Sequence, residues 1–292
     1  MRARKVAVPH AGWCMSAPDR YAVLGQPVSH SLSPRIHRQF AMQTDQQLIY
    51  EAIEVAPEQL AGTIADFFAG GGRGLNITVP HKLAAYALAG RLSARAQRAG
   101  AINTLLVERG SGLLEGDNTD GAGLIHDLLF NLKVAIRAQR VLILGAGGAT
   151  RGILGPLLDQ QPRELCIANR NPERARVLAE LFADLGPVRS ATPSELQGTQ
   201  WDLIFNATSA SLSGDLPELS PALLAPACLC YDLAYGSGPT AFMHWAHNHG
   251  AARSASGLGM LIEQAAEAFE LWRGVRPDTA PVRAQLLQEE NA

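Results

Sequence analysis

Short apolar runs alternate along this chain with longer stretches in which apolar positions return every three or four residues. The first pattern predicts buried strands and the second amphipathic helices. YAVLG at 21–25 reads as a strand, SPRIHRQFAMQ at 33–43 as a helix and LIYEAIEV at 48–55 as a strand. PEQLAGTIADFFAGG at 57–71 follows as a helix closed by its glycines. GLNITVP at 74–80 is a strand stopped by proline, and HKLAAY turns at once into a helix. SARAQRAG is helical, AINTLLVERG and GLLEGDN are strand-like, and a fresh unit starts near Asp120. There DGAGLIHDLLFNL predicts one amphipathic connecting helix, and RVLILGAGGATRGILGPLL reads strand, glycine turn, helix. ELCIANR pairs with the helix PERARVLAELFADLG, DLIFNAT with a short helix, and CLCYDLAY with TAFMHWAHNHG. Two helices, GMLIEQAAEAFELWRG and APVRAQLLQEE, close the chain. This alternation predicts an α/β fold of two domains, and 292 residues are enough for both cores.

Composition narrows the partners. A net charge of −2 without a basic run argues against nucleic acid and against an anionic membrane surface. No apolar run approaches the length of a membrane span. The four cysteines, Cys14, Cys166, Cys228 and Cys230, form neither a CxxC nor a pattern with histidine. Neither a disulfide framework nor a metal site is expected, and the expected location is cytoplasmic. The stretch before Met15 has a basic start and too short an apolar segment for a signal peptide, so residues 1–20 are expected to be a flexible extension.

The turn after VLIL carries glycines at 145 and 147, the first two positions of the dinucleotide fingerprint; Thr150 occupies the third. Such a turn lets a pyrophosphate approach the amides of the following helix. About twenty residues on, where an acid would hold a ribose 2′-hydroxyl, the chain has Asn169 and Arg170, with Arg174 one turn later. An acid would repel a 2′-phosphate, whereas arginines offer it forked, charge-assisted hydrogen bonds. The pattern therefore predicts NADP(H) rather than NAD. The bland alternative is that both arginines are solvated at a helix start, where cations are mildly disfavoured.

In the first half, Ser33 before Pro34 reads as a helix N-cap, and Ser31 points to the same side if the segment is extended. Two hydroxyls beside free helix amides suit a small anion such as a carboxylate. Only three of the 25 basic residues are lysines: Lys5, Lys82 and Lys133. Arginine cannot release its proton in a protein and lysine can, so a lysine retained in an arginine-rich chain points to chemistry. Composition bias is the competing explanation. Lys82 stands in the first turn of its helix, where the helix dipole disfavours an ammonium. Asp120, at the handover between the two units, is the expected partner; its bland reading is an ordinary first-turn acid. Asn76, Thr78 and Asn103 offer neutral hydrogen bonds to a hydroxylated substrate, although each also suits a strand end or turn.

Taken together and in order, SHSLSP, NITVPHK, AINT, GDNTDG, GAGGATRG, NRNPERA, NATS and SGLGMLIEQA resemble the motifs of the shikimate dehydrogenase family, from about Tyr21 to the C-terminus. The resemblance implies reversible reduction of 3-dehydroshikimate to shikimate by NADPH, a step towards chorismate and the aromatic amino acids. It implies Lys82 and Asp120 as the catalytic pair, with Ser31 and Ser33 on the substrate carboxylate. Asn76, Thr78, Asn103, Tyr235 and Gln264 would hold the rest of the substrate. On the cofactor side it implies Gly145, Ala146, Gly147, Gly148 and Ala149 on the diphosphate, and Asn169, Arg170 and Arg174 on the adenosine phosphate. Thr208, Leu233, Gly257 and Met260 would line the remaining cofactor cleft, with no metal. The implied domains are 21–119 with 257–292 for substrate and a Rossmann-type 120–256 for NADP(H), in a monomer or homodimer. A quinate/shikimate dehydrogenase using NAD, a folate dehydrogenase of similar build and a non-catalytic NADP-binding sensor remain as alternatives.

Overall fold

The computed structural model describes residues 18–107, 113–208, 219–236 and 238–290. Residues 1–17 of the expected extension and the short helix expected after DLIFNAT lie outside them, while Asp19 and Arg20, also expected in the extension, already belong to the first strand, where they pair with Leu48 and Ile49. Along the first half run β1 (Asp19–Gly25), α1 (Ser33–Gln43), β2 (Leu48–Glu54), α2 (Leu60–Ala69) and β3 (Gly72–Ile77). α3 (Lys82–Tyr86), β4 (Arg91–Leu92), α4 (Ala94–Ala99), β5 (Thr104–Val107) and β6 (Leu114–Asp117) complete it. These strands form one sheet in the order β2-β1-β3-β5-β6-β4. All neighbours are parallel except those of β5, which runs antiparallel to β3 and β6.

That reversal places the site. The parallel strands finish at one edge, and β5 begins there, with Thr104 opposite both Asn76 at the end of β3 and Asp117 at the end of β6. Asn103 therefore arrives beside residues that lie far from it in sequence. β1 is buried on both faces and reads as a continuous apolar run for that reason. Ala22 and Leu24 pack towards Leu60, Ile64 and Phe67, whereas Tyr21 and Val23 pack towards Tyr50 and Trp272.

The chain continues as α5 (Asp120–His126), β7 (Arg140–Leu144), α6 (Gly148–Asp159), β8 (Glu164–Ala168), α7 (Pro172–Phe182) and β9 (Val188–Ala191). β10 (Trp201–Asn206), β11 (Leu224–Asp232), α8 (Ala241–Asn248) and β12 (Arg253–Ala255) follow. The second sheet is parallel throughout, in the order β12-β11-β10-β7-β8-β9. Counted from β7 along the chain this is the doubly wound order, whose switch point lies between β7 and β10. Its strands alternate: Val141, Ile143, Leu165 and Ile167 face α6 and α7, and Leu142, Leu144, Cys166 and Cys230 face Phe242 and Trp245 of α8.

α9 (Leu258–Arg273) and α10 (Ala280–Glu290) pack back on the first sheet. Ile262, Phe269, Val282 and Leu286 close a core with Ile36 and Phe40 of α1. Two sequence expectations need correction. The helix expected over 120–132 changes register: after α5, Asp127–Asn131 is π-helical, with the Leu132 amide bonded to Asp127 O. The buried Asp127 carboxylate holds Asn131 and accepts from Tyr231, which fixes this wider turn. The short strands β4, β9 and β12 lacked an apolar run long enough to announce them.

His37 on α1 is wholly buried and stacks on Tyr50 at 4.2 Å between ring centroids, 6° from parallel. Burial lowers its pKa from 6.5 to about 3, against a smaller opposing pull from the Asn76 amide. The unfolded chain thus binds the proton first. Stability is complete above pH 6.5 and is lost as pH falls towards about 3. At about pH 5 the loss is about 2 kcal/mol. The variant His37→Phe is expected to lack this component, so urea unfolding at neutral pH and at pH 5 should show a smaller acid-side drop than in the parent chain.

Candidate active site

The carboxyl edges of the two sheets face each other across one cleft of about 1380 Å³. A pocket for a single small ligand is usually about 300–1,000 Å³, so there is room for a small molecule beside a dinucleotide.

Lys82 opens α3. The preceding His81 is buried and donates Nε2–H to Val55 O at 2.7 Å, and the Ile102 amide bonds to Lys82 O, so both sides of the turn are pinned. The Lys82 ammonium then meets Asp120 Oδ2 at 2.5 Å, with the two side chains only 12% and 5% exposed. Asp120 is the first residue of α5, and its amide bonds to Asn118 Oδ1 at 3.1 Å. Its other oxygen, Oδ1, accepts from Asn103 Nδ2 at 2.8 Å. Asn103 also reaches Thr119 Oγ1 and Gln264 Oε1, which ties α9 into the cluster. Asn76 is held by Tyr50, which donates to its Oδ1 at 2.7 Å, and donates in turn to Asn103 O. An ammonium, one carboxylate and neutral amides thus converge on a mostly enclosed space, an arrangement able to stabilise and protonate an oxygen that gains charge.

A second group lies at the start of α1. Ser33 is the first helical residue rather than the cap; Leu32 holds the cap position without a side-chain bond. The Ser33 amide is already bonded to Ser31 Oγ at 3.2 Å, which begins the helix one position earlier than expected. The Ser33 hydroxyl adjoins Tyr50 and the Ser31 hydroxyl adjoins Tyr235. Burial pushes both phenols up, so they remain neutral hydroxyls. Four hydroxyls beside a helix start, with no carboxylate among them, suit an anion.

The opposite wall is the β7–α6 turn. Gly145 has φ +104°, and a side chain there would bring its Cβ to 2.8 Å from Ala207 O. At Gly147 an added Cβ would meet nothing within 4 Å, so the protein leaves the space before that backbone open. Thr150, in the third fingerprint position, is buried and donates its hydroxyl to Gly145 O at 2.9 Å, closing the turn from inside. Gly148 abuts Lys82: a Cβ built on it would lie 3.3 Å from Lys82 Cβ. Beyond β8, Asn171 caps α7 and Asn169 donates to Asn171 O at 2.9 Å. Arg176 is taken up by Glu173 and Glu180. Arg170 and Arg174 have no carboxylate partner among the described residues, and both face the cleft. Open glycine backbone at one end and two unpaired guanidiniums at the other fit a dinucleotide with an additional phosphate.

Ala146, Ala149, Thr208, Leu233, Gly257 and Met260 line the same cleft, as does Thr78. Thr208 is held by Asn206 Oδ1, and the Met260 amide by the Tyr231 hydroxyl. Tyr50, Asn118 and Thr119 were not singled out in the sequence. Asn118 and Thr119 lie inside GDNTDG and could have been found there; Tyr50, within a strand, reads only as core.

Three comparisons bear on this arrangement. The model of the shikimate dehydrogenase substrate binding domain matches residues 23–105, that of shikimate / quinate 5-dehydrogenase 129–213, and that of the shikimate 5′-dehydrogenase C-terminal domain 257–287. A curated relative, the shikimate dehydrogenase (NADP(+)) of Alkalilimnicola ehrlichii, is 54% identical over 93% of this chain and 99% of its own. The solved Ael1 enzyme of Pseudomonas putida is similar at a TM-score of 0.85 and 49% identity, over 92% of this chain and 98% of that one. The shikimate 5-dehydrogenase of Thermus thermophilus, solved in complex with NADP(H) and shikimate, gives 0.81 at 33% identity, over 93% and 99%. With its family models matched in order and its length covered at such identity, the chain belongs to the shikimate dehydrogenase family.

Proposed function

We propose that this chain catalyses the reversible, NADPH-dependent reduction of 3-dehydroshikimate to shikimate, with Lys82 and Asp120 as its catalytic pair. The observation that carries the reading is the buried Lys82–Asp120 contact at 2.5 Å, facing the glycine turn across the cleft. When bound along the second sheet, NADP(H) supplies or accepts the hydride. Lys82 donates a hydrogen bond to the substrate carbonyl oxygen as charge grows there, and passes it a proton. Asp120 keeps the ammonium in place and accepts from a neighbouring hydroxyl. Ser31 and Ser33, backed by Tyr235 and Tyr50, hold the carboxylate. Asn76, Thr78, Asn103 and Gln264 orient the ring hydroxyls, and the apolar Leu233 and Met260 limit water.

Residues 21–119 with 257–292 form the substrate domain in this reading, and 120–256 the cofactor domain. The enzyme works in the cytoplasm as a monomer or homodimer, which sedimentation distinguishes. Arg170 and Arg174, without a carboxylate partner among the described residues, favour NADP(H) over NAD, and with it shikimate over a quinate reaction that uses NAD. Adding shikimate and NADP should produce NADPH absorbance. Absence of signal with that pair, or a faster reaction with quinate and NAD, would remove the assignment.

A further inference from the structure

We propose that Arg95 is a positioning residue for this reaction: lying outside the cleft, it ties the turn between β6 and α5 to α9 and so fixes where the Asp120 carboxylate meets Lys82. The consequence for turnover rests on the function proposed above; the placement of Asp120 does not. The Arg95 guanidinium grips Asp117 with two bonds of 2.7 Å, from Nε to Oδ1 and from Nη2 to Oδ2. Its third arm, Nη1, donates to Glu267 Oε1 on α9 at 2.8 Å. Planar geometry makes this fork far more directional than a lysine's point charge.

Each end of the clamp leads to the site. Asp117 Oδ1 accepts from the Asn118 amide at 2.7 Å, and Asn118 Oδ1 accepts from the Asp120 amide at 3.1 Å. Asp117 O also accepts from the Asn103 amide at 3.0 Å, so both residues that touch Asp120 Oδ1 and its backbone depend on the same strand end. On the other side, Glu267 lies one helical turn beyond Gln264, whose Oε1 accepts from Asn103. Burial alone would raise the Asp117 carboxyl; Arg95 and the Ser93 hydroxyl outweigh it and hold it below the usual range, so the clamp stays charged. Neither Arg95 nor Asp117 lines the cleft, so their effect on substrate must pass through Asn118, Asn103 and Asp120.

The scarcity of lysine provides a direct readout. Of the three lysines, Lys133 is exposed and serves as an internal reference for Lys82. Acetic anhydride labelling of the ligand-free protein, read by peptide mass spectrometry, reports how firmly Asp120 holds the Lys82 amine. Arg95→Lys is expected to raise Lys82 labelling relative to Lys133 several-fold at fixed pH. It should also lower kcat about tenfold with KM for NADP unchanged. Should Arg95→Lys fail to fold, Glu267→Ala, which removes the acceptor of one arm, is expected to move both readouts in the same direction by a smaller factor. An unchanged labelling ratio overturns the proposal, and so does unchanged kcat when the parent enzyme is active. A parent chain inactive on shikimate sinks the functional assignment alone, because the labelling ratio still reports on Arg95.

Discussion

Replacing Lys82 with alanine is expected to lower kcat by about 10²–10⁴ while leaving KM for shikimate within about threefold. The asymmetry follows from the layout. In the proposed reading substrate binding is spread over Ser31, Ser33, Asn76, Asn103 and Gln264, whereas among the described cleft residues of the first sheet Lys82 is the one that would bring an ammonium to the reacting oxygen. Lys82→Arg separates the two contributions. It restores a cation beside Asp120 and cannot release a proton. Partial recovery would assign the recovered part to electrostatics and the remainder to proton transfer. Steady-state kinetics with NADP and shikimate, with folding checked by circular dichroism, measures all three forms. Full activity in Lys82→Ala would take the lysine out of the mechanism.

Removing both Arg170 and Arg174 is expected to raise KM for NADP by about 10²–10⁴ while KM for NAD changes little. Two charge-assisted hydrogen bonds to a phosphate contribute about 1.5–3 kcal/mol each. The neighbouring Arg176, held by Glu173 and Glu180, is the matched control, and its loss should alter neither constant by more than about twofold. Comparing NADP and NAD kinetics for the double variant and for Arg176→Ala tests the assignment. An equal loss with both cofactors would mean that the arginines support the fold rather than the 2′-phosphate.

Much of this architecture could be read from local pattern. The alternation of apolar runs and helical periods marks every long strand and helix, because each buries a face against its own neighbours. The glycine turn is legible for a similar reason: Gly145 answers a backbone constraint, a positive φ with Ala207 O close by, that a side chain could not meet without a shift. What escaped was set by distant partners. Nothing between residues 101 and 110 says that β5 runs against its neighbours, yet that reversal delivers Asn103 to Asp120. Ser33 reads as a cap until the Ser31 hydroxyl is seen on its amide. The π turn at Asp127 depends on Tyr231, more than a hundred residues away. Tyr50 gives no local sign that its hydroxyl supports the site.

The chain passes between the two sheets through α5 and α9, and these helices touch closely enough that a side chain at Gly123 would bring its Cβ to 2.6 Å from the Gln264 amide nitrogen. Asp120 and Gln264 ride on these crossing helices, and both are bonded to the Asn103 side chain. A change in how α5 and α9 cross would therefore shift the Asp120 carboxylate and the Gln264 amide together, so the close approach at Gly123 sets the spacing of the candidate site as well as the connection between the sheets.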